Sequence, residues 1–149
     1  MYNGLLHAHS GLRWIALGLI LFAIINAVRS QSSGEYAKKD KMLNLFAMVF
    51  LHIQLLIGFV LFFINERGRV NYSDELMSNP LFRFFGMEHI LGMVIAIAVI
   101  TIGRSKAEKK MRGSRNKHRK IMVSYTIGLI LILASIPWPF RTLLLGEWI

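Results

Sequence analysis

The chain has 149 residues, of which 54% are hydrophobic and 17% charged, with a net charge of +10 and no cysteine. Soluble domains carry about a quarter charged residues, so this balance points to lipid. The missing cysteine excludes disulfides, iron–sulfur clusters, thiolate zinc sites and haem attached through Cys-x-x-Cys-His, and it leaves histidine as the main candidate ligand for a metal centre.

The length suits one domain. Met1-Tyr2-Asn3-Gly4 has no basic residue ahead of Arg13. The apolar run that follows outlasts that of a cleavable signal peptide, so the first segment is expected to remain as a span. A spanning helix needs about 20 mostly apolar residues. Four stretches qualify, and they run from about Leu5 to Val28, Met42 to Ile64, Pro80 to Gly103 and Ile121 to Ile136. Ser32-Ser33-Gly34 breaks the chain after the first. Ser78-Asn79-Pro80 reads as a cap followed by proline in the first turn of the third. Gly103 sits near the end of that helix, immediately ahead of a basic run. Pro137 and Pro139 end the fourth, since each lacks an amide donor. The segments are continuously apolar, not alternating, which excludes a β-barrel reading. The expected fold is all-α, a single four-helix integral membrane bundle over residues 1–149.

Basic residues set the orientation. Arg29, Lys38, Lys39 and Lys41 lie in the first connection. Arg104, Lys106, Lys109, Lys110, Arg112, Arg115, Lys117, Arg119 and Lys120 lie in the third, so the two hold 13 of the 18 Lys and Arg. The positive-inside rule places both connections in the cytoplasm, so the termini and the second connection are expected to face outward. The third connection also matches a nucleic-acid patch by charge, but no aromatic interleaving offers base stacking. Anionic lipid headgroups satisfy the same charges, so lipid is the expected partner and nucleic acid is not. His118, within this basic run, is expected to be solvated.

Ionisable groups inside a span are expensive and usually face the bundle interior. The first helix carries His7, His9 and Arg13, the second His52 and Gln54, and the third Arg83, Glu88 and His89. From the helical rise, His52 lies roughly 18 Å and His89 roughly 14 Å below the outer boundary, with His9 shallower. His9 and Arg13, four apart, share a face, whereas His7 points elsewhere. Three helices thus offer histidine to one leaflet. Imidazole is a favoured axial ligand of haem, and helix bundles build such sites from facing side chains. Gly11, Gly58, Gly86 and Gly92 would supply the flat space that haem needs. Arg13, Arg67, Arg83 and Arg141 would supply cations for its propionates. The plainer reading makes each histidine an interhelical hydrogen-bonding residue and each glycine a packing contact. Glu88 is expected to pair with Arg13 or Arg83, since an unpaired carboxylate in lipid would be neutralised. Trp14, Trp138 and Trp148 suit the interfacial belt or packing.

The stretches Leu6-His7-Ala8-His9-Ser10-Gly11-Leu12-Arg13-Trp14, Leu51-His52-Ile53-Gln54-Leu55-Leu56-Ile57-Gly58, Glu88-His89-Ile90 and Ile136-Pro137-Trp138-Pro139-Phe140 resemble a group of short bacterial membrane proteins labelled "cytochrome B". The resemblance runs over nearly the whole chain. More loosely, the chain is similar to the four-helix haem-b cytochromes of bacterial inner membranes, which pass electrons between quinol and a redox partner. That similarity implies one haem b held by His52 with His89 or His9, and quinone or a respiratory complex as partner. Those cytochromes commonly place ligands on helix four as well, and here helix four offers none, so a second haem is not expected. The expected role is electron carrier or respiratory subunit, not a stand-alone catalyst.

Two other readings stand beside it. One is a cofactor-free accessory subunit of a larger membrane complex, or of an assembly with itself. The other is a proton path through Glu88, His89 and His9, for which the chain is short and lacks a discontinuous helix pair. A hydrolase is not expected, since the sequence carries no nucleophile elbow, phosphate loop or zinc-protease helix.

Overall fold

A computed structural model describes residues 2–32, 34–64, 78–138 and 140, and all regular structure among them is helical. The helices are α1 (Tyr2–Ser30), α2 (Lys38–Ile64), α3 (Pro80–Lys109, with a π-helical turn at Phe84–Glu88) and α4 (Ser114–Ser135). Each is long and apolar enough to cross a membrane. Even α4, with 22 residues, extends about 33 Å at the helical rise, against a hydrocarbon core of about 30 Å.

The outside of the bundle is as apolar as its inside. Phe22, Leu56, Phe63 and Ile130 are each more than 60% exposed, while Ala16, Ile20, Ala47, Ala96, Ile100 and Tyr125 form the interior. Large apolar side chains are exposed on every helix, as suits a multi-pass membrane protein. The helices form a ring, α1 against α2 and α4, and α3 against α4 and α2. The α3–α4 seam is the most extensive contact and α2–α3 the thinnest.

Small residues make the α3–α4 seam close. A Cβ added at Gly103 would overlap the Ser124 side chain, one at Gly92 would overlap Ser135, and one at Gly128 would overlap Ile100. Without a hydrophobic drive between helices in lipid, the van der Waals packing that such backbone approach allows is one of the sources of association. Gly103 is therefore a notch inside α3 and not its end, because α3 continues to Lys109. Similarly, α4 begins at Ser114, well before Ile121. Hydropathy marks the hydrocarbon part of a helix, but Lys and Arg are good helix formers and carry the helix beyond it.

At the basic end, the α1–α2 connection is tied into the bundle by buried polar groups. Gly34 turns it at φ +73°, a region that glycine enters without steric cost. Asp40, 2% exposed, accepts from Asn26 Nδ2 and from the Ala37 amide, both at 2.7 Å. Tyr36 donates to Glu108 Oε1 at 2.6 Å and accepts from Asn44 Nδ2 at 3.0 Å. Tyr125 donates to the Asn44 carbonyl at 2.6 Å. Burial, reinforced by the bond to Glu108, pushes the Tyr36 phenol above its ordinary range.

His118 corrects the expectation of a solvated side chain. It is 1% exposed, its Nε2 donates to the Glu35 carbonyl at 2.9 Å, and its ring meets Tyr36 edge-on with centroids 4.9 Å apart. Because α4 starts at Ser114, His118 lies on a helix face turned toward the α1–α2 connection. Arg115 and Arg119 beside it are exposed, while the Lys117 ammonium lies over the Tyr36 ring at 5.4 Å, and averaging over the basic run conceals the buried face.

Candidate functional site

The opposite end of the bundle gathers the histidines. The Asn79 side chain caps α3 by accepting from the Leu81 amide at 3.0 Å, with Pro80 in the first turn. The π-helical turn follows. Its hydrogen bonds join residues five apart, as between the His89 amide and the Phe84 carbonyl, so side chains five apart meet on one side. Two contacts use this spacing. Arg83 Nε donates to Glu88 Oε1 at 2.7 Å, and the Phe84 ring lies 5.8 Å from that of His89. Of the two arginines expected to neutralise Glu88, the structure pairs it with Arg83. The pair is partly exposed, at 38% and 47%.

His89 faces α4. Its Nδ1 lies 2.6 Å from the Ser135 carbonyl oxygen. A carbonyl only accepts, so Nδ1 carries the proton, and in the neutral ring Nε2 is left as a bare lone pair. Gly92, one turn further along α3, permits the approach of Ser135.

His9 comes from α1. Its Nδ1 is buried and has no hydrogen-bond partner among the described residues. Its Cε1 faces α2 at Gly58, where an added Cβ would stand 3.3 Å away. Gln54, one turn earlier on α2, donates to the His9 carbonyl at 2.8 Å. The two imidazoles are close enough to act on each other electrostatically, and the Arg13 charge acts on both.

His52 lies apart from this group. It is six residues from Gly58, about 9 Å along α2. Its Nδ1 bonds the Met48 carbonyl of its own helix at 2.8 Å, which also leaves Nε2 bare. The structure thus places His9, His89 and Arg13 within electrostatic reach of one another and ties His52 to its own turn. His7 is exposed. Arg67, Arg141 and Trp148 lie outside the described residues. Trp14 meets Trp138 edge-on at 6.4 Å.

The glycines do not form the expected flat slot. Gly58 admits the His9 ring, Gly92 admits Ser135, and Gly11 faces outward with nothing within 4 Å. Gly86 sits inside the π-helical turn. Among the described residues no three His, Asp or Glu side chains gather as a protein-only metal site. The residue that sequence reasoning missed is Ser135, whose backbone oxygen orients His89. No protein-family model, no curated protein and no solved structure matches this chain.

Proposed function

We propose that the protein is a haem-b-binding electron carrier of a bacterial inner membrane, with both termini on the periplasmic side and the two basic connections in the cytoplasm. The observation that carries this reading is His89. Its Nδ1–H is anchored on a backbone carbonyl, the arrangement by which proteins orient a metal-binding imidazole and raise the basicity of the other nitrogen. His9 and Arg13 are electrostatic neighbours of that ring.

Two imidazoles from separate helices are a donor set that could hold a haem iron. His89 and His9 would hold it, with His52 as the alternative partner, and Arg13 and Arg83 are the cations available to propionates. When bound, the group would supply one-electron chemistry with quinol or a respiratory partner. The chain's own part is to fix the imidazoles, place Arg13 beside them and exclude water from the bundle. Haem content of the detergent-purified protein tests this. About one haem per chain supports it, and none after supplying haem during expression removes it.

A second reading, a cofactor-free subunit of a larger membrane complex or of a self-assembly, draws on a different observation. The gaps at Gly58 and Gly92 are filled by His9 and Ser135 side chains, as close helix packing requires and a macrocycle does not. Co-purification with a larger assembly that stays active when His9 and His89 are both replaced by Ala would favour it.

A further inference from the structure

The carbonyl that holds His89 is free to do so because of how α4 ends. In a continuing helix the carbonyls of Leu133 and Ser135 would accept from the amides of residues 137 and 139. Both positions are proline, which has no amide hydrogen. Pro137 also forces the residue before it out of the helical region, and Ile136 is extended at φ −77°, ψ 136°. The helix therefore stops at Ser135 with its last carbonyls unclaimed. Two of them are taken by aromatic N–H groups: Trp138 Nε1 donates to the Leu133 oxygen at 2.8 Å, and His89 Nδ1 donates to the Ser135 oxygen at 2.6 Å.

We infer that the Pro-Trp-Pro ending of α4 is a positioning device for His89: it releases the Ser135 carbonyl from helical duty so that this oxygen fixes the imidazole as its Nδ1–H tautomer and leaves Nε2 as the ligating lone pair. Three features converge on that geometry. Pro137 ends the helix, Gly92 lets α4 come close, and the π-helical turn sets His89 in the register that reaches across. The Ser135 hydroxyl is not part of it, since its Oγ donates back to the Leu131 carbonyl at 2.8 Å. The ligand role of Nε2 rests on the haem reading, but the tautomer does not.

The test replaces both prolines, Pro137→Ala with Pro139→Ala, so that α4 can run on and amides 137 and 139 can reclaim the two carbonyls. Nitrogen-15 NMR of histidine-labelled protein in micelles reads the tautomer directly. In the unaltered chain His89 gives the pattern of a protonated Nδ1 and a bare Nε2. In the double variant the tautomer ratio falls by about tenfold, the factor one such hydrogen bond sustains. Ser135→Ala keeps the backbone carbonyl and leaves the ratio unchanged, which separates the carbonyl from local packing. If the double variant does not fold, His89→Gln in the unaltered ending provides the second readout: the amide side chain donates to the same oxygen, and unfolding stability is retained relative to His89→Leu. An unchanged His89 tautomer in the double variant, or equal stability of the Gln and Leu variants, overturns the inference. A chain that shows the tautomer response but binds no haem would retain the device and lose the electron-carrier reading.

Discussion

Gly103→Ala is the sharpest test of how the bundle is held. The added Cβ would overlap the Cβ of Ser124 as well as its Oγ, with the Ser124 Cα 3.7 Å away. Rotation of Ser124 moves only the hydroxyl, whose bond to the Lys120 carbonyl at 2.8 Å would then be lost. The Cβ is fixed to the α4 backbone, so relief requires the two helices to part at their most extensive seam. Overpacking of this kind costs about 1–3 kcal/mol. Ser124→Gly removes the obstructing Cβ and alone costs up to about 1 kcal/mol of helix propensity. In the double variant the clash is gone, so the two changes are strongly non-additive, with a coupling of about 1–2 kcal/mol in the stabilising direction. Reversible SDS unfolding of the micelle-solubilised protein, followed by far-UV circular dichroism, measures all four corners of the cycle. Additive costs would refute the close seam.

Other outcomes follow from particular contacts. Asp40→Ala leaves the Asn26 amide and the Ala37 N–H without their acceptor in a buried position, and is expected to destabilise by about 1–3 kcal/mol, read in the same unfolding assay. Glu88→Gln removes an ion pair that is partly exposed on both sides, and is expected to change stability by less than about 1 kcal/mol. Alkaline spectrophotometric titration of a Tyr36→Phe variant against the unaltered chain isolates the Tyr36 phenol, which should resist ionisation above the ordinary value of about 10. Its folded value is raised, so its contribution to stability is fully present below pH ~10 and is lost as pH rises from there toward the folded value.

The membrane architecture was legible because hydrocarbon thickness imposes a long apolar run on every span. The four helices lie where hydropathy predicted cores, and Asn79-Pro80 caps α3 as its residue types suggested. Helix lengths beyond the apolar cores were not legible, since nothing in the apolar pattern reports where Lys and Arg stop extending a helix. That is why the beginning of α4 and the burial of His118 differ from expectation. At the histidine end, residue type singled out His9, His52 and His89, but rough depth matched His52 with His89 and left His9 shallower, whereas His52 bonds the carbonyl of its own helix. The glycines misled because a missing side chain signals close approach without saying what approaches: at Gly58 it is an imidazole and at Gly92 a serine. The π-helical turn has no period that a sequence pattern exposes. The Ser135 carbonyl was readable in principle, because prolines at 137 and 139 leave the carbonyls four residues earlier without amides, a backbone consequence that side-chain inventories overlook.

The electron-carrier proposal is tested most directly by reduced-minus-oxidised absorption spectra of the purified protein and of its His9→Ala, His52→Ala and His89→Ala variants. The expected result is a b-type difference band in the unaltered chain that is retained in His52→Ala and lost in His9→Ala and His89→Ala. No band in the unaltered chain, or a band indifferent to both His9 and His89, would contradict it.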